Sequence, residues 1–135
     1  MRTALLSLLC FAATLHADVF TFRRVISDTI GKTFYFEVTG EGLLKTPIWK
    51  ADADSLPLAP RKADQLATEK FRQLISDAAE WKRERITLED AGDGLHWIYI
   101  VRFTYAGISV GLPPFLDVVV LMDGTVVEPK VRENK

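Results

Sequence analysis

The chain has 135 residues and a formal net charge of −1, with 17 basic and 18 acidic side chains and neither a basic block nor an interleaving of basic and aromatic residues. That balance argues against nucleic acid as a partner. The length suits one ordinary domain and is too short for two.

The first stretch reads as a leader. Arg2 gives a positive start, Ala4 to Ala13 an apolar run, and Leu15-His16-Ala17 a cleavage site, so residues 1–17 are expected to be a secretory signal peptide. About ten apolar residues fall well short of the ~20 needed to span a bilayer, and no permanent membrane span is expected. The protein is therefore expected to be exported, to a periplasm or the exterior, as a single domain over residues 18–135. Cleavage removes Cys10 and His16, the only cysteine and one of the two histidines. The exported part then has no disulfide, no cysteine nucleophile and no paired-histidine site, and neither metal nor cofactor is expected. A cysteine-free exported domain fits a bacterial envelope.

Residues 18–59 divide into strands and a draped connection. Val19-Phe20-Thr21-Phe22 leads in, Ile30-Gly31-Lys32 turns, and Thr33 to Thr39 alternates Phe34, Phe36 and Val38 with polar neighbours, the pattern of a hairpin. Ser27-Asp28-Thr29 is compatible with a short helical turn instead. Leu43 to Ala59 is irregular, with Pro47 and Pro57, yet carries Ile48, Trp49, Leu56 and Leu58, so it is expected to lie over the body. Asp52 and Asp54 lack the glycine and distant glutamate of an EF-hand loop and read as an ordinary turn.

Pro60 to Ala79 is the one long helix expected. Ala63, Leu66, Ala67, Leu74, Ile75 and Ala78 share a face with Phe71 at its margin, and Pro60 suits the first turn. Residues 81–131 then read as a four-strand meander. Leu95 to Tyr105 is apolar on both faces, as a central strand is, and Asp123-Gly124 joins Phe115–Met122 to Thr125–Val131. A two-residue turn there sets Met122 opposite Thr125 and Asp117 opposite Lys130. Pro129 marks the last strand as an edge.

The fold class expected is α+β, one helix packed on an antiparallel meander preceded by an N-terminal strand or hairpin. One helix covers one face of such a sheet. The other face carries Phe115, Val119, Leu121 and Val126, for which the N-terminal third is the expected cover, through Phe34, Phe36, Ile48 and Trp49. A second copy in a weak homodimer is the alternative to a monomer.

No catalytic motif rises above the background of ordinary turns and core residues. His96 has no serine in a nucleophile-elbow setting near it, and Glu84, Glu89, Asp90 and Asp93 sit where a turn needs them. The loop from Ala106 to Phe115 is uncharged and aliphatic where a solvated loop is polar. Ile108, Val110, Leu112, Pro113, Pro114 and Phe115 are thus the candidate partner contact, the alternative being that this loop folds back on the body.

A helix followed by strands ending in Val119-Val-Leu-Met-Asp-Gly-Thr-Val-Val-Glu-Pro-Lys130 resembles the PepSY-like and cystatin-like families of small exported domains. Pro47-Ile-Trp49 with Pro57-Leu-Ala-Pro-Arg-Lys-Ala63 is similar to a set of bacterial exported proteins. The resemblance implies one helix across a curved antiparallel sheet and a non-enzymatic binding or peptidase-regulating role. The inhibitory Gln-x-Val-x-Gly loop of cystatins has no counterpart between Leu88 and Leu95, and Pro113-Pro114 stands where their second-loop tryptophan would be. The function expected is a protein- or peptide-binding module with an unknown partner; the alternatives are a structural envelope component and a small hydrolase using His96.

Overall fold

The computed structural model describes residues 21–53 and 55–135. The expected leader, Val19, Phe20 and Asp54 lie outside the described residues. Strands β1 (Thr21–Thr29) and β2 (Lys32–Thr39) form the N-terminal hairpin, with Thr29 opposite Lys32 and only Ile30 and Gly31 in the turn. Ser27, Asp28 and Thr29 continue the strand rather than starting a helical turn. Both turn residues have positive φ, 45° and 72°, the type I′ pattern whose twist matches the strands it joins. Thr39 then accepts a hydrogen bond from Gly42 N at 3.0 Å and caps a short helix, α1 (Gly40–Leu44), at the start of a connection expected to be irregular throughout. That connection is tied to the body at Trp49. Its N–H donates to Leu95 O, its carbonyl accepts from Trp97 Nε1, and the two indoles meet edge-on at 5.1 Å.

The main helix, α2 (Pro60–Leu74), begins at Pro60 as expected and stops five residues short of Ala79. Ile75 is extended at φ −118° and ψ 117°, its N–H closes the last helical bond to Phe71 O, and a 3₁₀ turn at Ala78–Glu80 leads to the next strand. Ser76 and Asp77, both turn formers, interrupt the period there. The buried stripe is Ala63, Ala67, Phe71 and Ile75 at steps of four. Phe71 is its centre and not its margin: it stacks on Phe103 at 4.2 Å and tilts against Trp81 at 5.4 Å. The two alanines let the helix approach the sheet closely.

Strands β3 (Trp81–Asp90), β4 (Trp97–Tyr105) and β5 (Phe115–Leu121) form an antiparallel sheet in that order. The fourth strand expected of a meander is absent from it. After Leu121, Gly124 at φ 87° extends the turn to three residues, and Leu121 N bonds Thr125 O at 2.8 Å. The register is thereby one residue off the expected pairing of Met122 with Thr125. Val126 bridges Val120, Val127 N bonds Val119 O, and the chain then leaves past Pro129. The last strand, β6 (Lys130–Glu133), pairs instead with β2, Tyr35 opposite Lys130 and Phe34 opposite Val131. The molecule is α+β with two antiparallel three-stranded sheets, β1-β2-β6 and β3-β4-β5, and one main helix.

These form three layers, with β3-β4-β5 in the middle. Its helix-side face presents Val101, Phe103, Leu116, Val118 and Val120 to α2, while Tyr99 Oη donates to Leu58 O at 2.7 Å. Its other face presents Ile98, Val119 and Leu121, buried in one continuous core with Phe34, Phe36 and Val38 of β2. The N-terminal hairpin is thus the cover. Two of the four residues expected to supply it do so; Ile48 is half exposed and Trp49 packs at the rim.

Asp117 holds the layers in register. It lies opposite Arg102, not Lys130, and its two oxygens accept from Arg102 Nε and Nη2 at 2.7 Å each. Its backbone N–H points away from β4 and donates to Ser27 Oγ of β1 at 3.0 Å. Lys130 reaches Glu37 instead, at 2.5 Å. Asp117→Ala is expected to destabilise the fold by about 3 kcal/mol by stranding the half-buried guanidinium, whereas Arg102→Met combined with Asp117→Leu costs less than that single change. Urea denaturation of the double-mutant cycle measures this; strong coupling of Asp117 to Lys130, and none to Arg102, contradicts the observed register.

Candidate binding site

The loop from Ala106 to Pro114 has a fixed base and a free tip. Tyr105 N donates to Pro114 O at 3.0 Å, Ala106 N to Glu80 O at 2.8 Å, and Tyr105 Oη to Glu80 Oε2 at 2.8 Å. A β-carbon on Gly107 would lie 2.3 Å from the Tyr105 ring, so any larger residue there would push the ring aside. Beyond this clasp, Ile108, Val110 and Leu112 are exposed at 101%, 104% and 94%, and the tip does not fold back on the body. Single exposed aliphatic residues are ordinary, but three on one uncharged loop are not what solvation selects.

The C-terminal half of the loop, Leu112 to Phe115, forms one wall of a cleft of about 600 Å³. The cleft opens where the inner face of β3-β4-β5 turns from aliphatic to polar. Its opposite wall comes from the β1–β2 turn, with Asp28, Thr29, Ile30 and Gly31, and from Asn134 after β6. Arg102 and Thr104 line its floor. Phe115 lies over the Arg102 guanidinium, 3.9 Å from ring centre to Cζ. With Nε and Nη2 given to Asp117, Nη1 takes no part in that fork.

A bulge places the remaining charged group. The β3–β4 register shifts between Arg83 and Arg85, and the extra residue, Glu84, accepts from Thr104 Oγ1 at 2.5 Å. That hydrogen bond, aided by Arg85 and Arg102, holds the Glu84 carboxyl below its ordinary range, so the group is ionised at neutral pH. Asp28 is the second carboxylate, on the facing wall, and accepts from Thr33 Oγ1. Arg102 is matched by Asp117 and Glu84 lies 3.9 Å from the exposed Arg85, so the lining keeps negative character chiefly through Asp28, with Glu84 partly offset.

Two residues here are unusual for their setting, although the buried Arg23 Nε, Trp49 Nε1 and Trp81 Nε1 elsewhere also have no hydrogen-bond partner among the described residues. Thr29 is 5% exposed and its Oγ1 has no hydrogen-bond partner among the described residues. Ile30 is a β-branched residue at φ 45°, where Asn or Gly is the usual choice, at a cost of about 1–3 kcal/mol.

His96 lies elsewhere. It is 8% exposed and its Nδ1 is 2.5 Å from Asp93 Oδ2, beside a small apolar pocket at Leu43 and Leu44. Asp93 also accepts from the backbone N–H of Leu95 and His96, and these bonds lower its pKa to about 2. The carboxylates grouped by sequence are dispersed. Glu84 faces the cleft, Glu89 pairs with Arg23, and Asp90 and Asp93 close the β3–β4 turn. Ser27, the serine nearest the centre of the fold, gives its oxygen to the Asp117 N–H.

The chain matches no protein-family model, no curated protein and no solved structure. The PepSY-like and cystatin-like resemblance rests on the residues quoted for it. Among the described residues, no helix is long and apolar enough to cross a membrane.

The sequence singled out one wall of the cleft, Leu112 to Phe115, and missed the others. Asp28, Thr29, Glu84, Arg102 and Asn134 lie far apart in the chain and meet only because one sheet stacks on the other. The available signals were Arg102 and Thr104, polar within an apolar strand, and Ile30, apolar at a turn tip.

The low pKa of Asp93 links its turn to acid stability. Its folded value lies below the ordinary 3.8, so the stabilisation is present above pH 3.8 and lost as pH falls toward about 2. Urea midpoints measured from pH 5 to 2 are expected to fall less steeply for Asp93→Asn than for the wild type; equal slopes rule the linkage out.

Proposed function

We propose that the chain is an exported module, periplasmic or secreted, that binds another protein or peptide through the 106–115 loop and catalyses no reaction. The observation that carries this reading is the clasped loop base holding three uncharged aliphatic side chains fully in solvent. Its fixed base means little order is lost when a partner covers the tip. Export rests on the Arg2 to Ala17 leader pattern, and a peptidase-related role on the PepSY-like and cystatin-like resemblance. The protein then works as a monomer or weak homodimer, since its second sheet face is covered from within.

A small hydrolase using His96 is the second reading, favoured by the short His96–Asp93 contact beside an apolar pocket. A purely structural envelope role is the third.

Protein recovered from the envelope or medium is expected to begin at Asp18 on N-terminal sequencing; an intact leader on cytoplasmic protein refutes export. Ile108→Ser, Val110→Ser and Leu112→Ser together are expected to leave stability within about 0.5 kcal/mol of wild type, because these side chains touch little. The same triple variant is expected to lose the partner that the wild type retains in affinity capture and then binds as a purified protein. Equal retention by the variant defeats the loop reading. An activity lost in His96→Ala without loss of folding favours the hydrolase.

A further inference from the structure

We infer that the cleft beneath this loop is a peptide site, taking an extended segment that carries an aliphatic side chain next to a lysine or arginine. This deepens the proposed function and rests on it, since the exposed tip is what a protein partner supplying such a segment would cover.

Two adjacent residues of the β1–β2 turn give the first ground. A valine at 29 would remove a buried hydroxyl without a partner, and an asparagine at 30 would suit a φ of 45°. Thr29 and Ile30 both lower the stability of the free fold, and both face the cleft. Local rules broken side by side at one cleft mark a functional place. Thr29 Oγ1 is closed to solvent in the free fold, and a turn of this side chain on binding would bring it to a main-chain amide entering the cleft. Ile30 and the facing Leu112 and Pro113 then supply apolar walls for the ligand's aliphatic group.

Charge gives the second ground. Glu84 and Asp28 stand on different walls; Arg102 of the floor is neutralised by a bidentate pair with Asp117, and Arg85, 3.9 Å from Glu84, is not among the lining residues. A cationic side chain is attracted to that cleft and an acidic one repelled. The bulge that aims Glu84 inward lies on the edge strand, where bulges often re-aim side chains next to sites. A cleft of about 600 Å³ admits a short run of residues, and the exposed loop beside it extends the apolar surface toward the rest of a partner.

The test uses the full-length protein, isotope-labelled, titrated to about 1 mM with three capped peptides: Lys-Leu-Val-Lys, Glu-Leu-Val-Glu and Lys-Gly-Gly-Lys. The first is expected to give saturable amide shifts at Thr29, Gly31, Thr104 and Phe115, with the other two at least about tenfold weaker. Thr29→Val and Ile30→Asn are expected to raise the denaturation midpoint and to weaken the first peptide's binding. Glu84→Gln with Asp28→Asn abolishes its preference over the acidic peptide. The proposal is overturned if no peptide shifts these amides, if the acidic peptide binds as well, or if Thr29→Val and Ile30→Asn bind as the wild type does. Those results leave the loop reading standing when the triple loop variant still loses its captured partner. Cleft binding with no loop-dependent partner defeats that reading alone.

Discussion

The stacking of two sheets on one another depends on Asp117. In β5 it stands at a non-hydrogen-bonded position relative to β4, where facing side chains come closest, so its carboxylate meets Arg102 across the strand. The N–H left pointing outward would be a buried orphan, and Ser27 of β1 satisfies it. One residue thus spends its side chain inside one sheet and its backbone on the other. With an apolar residue at 117, Arg102 would lose its bidentate partner, while the backbone N–H would still reach Ser27. The remainder of that face, Ile98, Val119 and Leu121 against Phe34 and Phe36, is non-directional packing and contributes most of the burial. The hydrophobic contact supplies adhesion and Asp117 supplies register.

The C-terminal segment reinforces this arrangement by changing sheets. Val126 and Val127 complete the outer edge of β5, and three residues after Val127 β6 completes the edge of β2. Pro129, which has no N–H to offer either ladder, lies at the crossing. The chain therefore stitches the layers at both ends, through Ser27 near the start and β6 near the end. Both stitches close long loops, and a fold of this kind forms more slowly than a meander of the same length. The exposed edges are short or charged: β6 has four residues, and β3 carries Lys82, Arg83, Glu84 and Arg85 with a bulge among them.

What the sequence made legible was local. The start of α2 at Pro60, the alternation of β2, the two-sided apolarity of β4 and the turn at Asp123-Gly124 each rest on a few adjacent residues, and each appears in the fold. What local sequence leaves open is long-range or depends on one backbone angle. A two-residue and a three-residue loop differ by one residue, which shifts each pair that follows, and the departure of the chain to β2 takes Lys130 away from Asp117 altogether. Nothing local announces that β6 belongs to β2, because four residues of Lys-Val-Arg-Glu pair equally well with any open edge. Periodicity weighs position alone and sets Phe71 at the margin of its helix; the neighbouring rings of Trp81 and Phe103 make it central. The aliphatic loop was legible as a candidate contact, since its composition contradicts solvation, but the cleft beside it requires the stacked sheets to exist.

Where stability is given up is also informative. In the core, large side chains are fully enclosed and most polar groups near it are paired, as at Tyr99 with Leu58 and Thr46 with Leu43. Departures occur elsewhere too, as at the unpartnered indole N–H groups of Trp49 and Trp81 and the exposed Leu44, but several meet at one end of the sandwich: the unpaired hydroxyl of Thr29, the left-handed backbone of Ile30, and the exposed Ile108, Val110 and Leu112. They come from segments about eighty residues apart and meet only in the folded state, so local sequence bias does not explain their proximity. Nor does folding require them, because each has an ordinary replacement that suits the free fold as well or better: valine, asparagine, and polar residues on the loop. A group of residues that the free fold does not need, placed on either side of one cleft, is best accounted for by something that enters it.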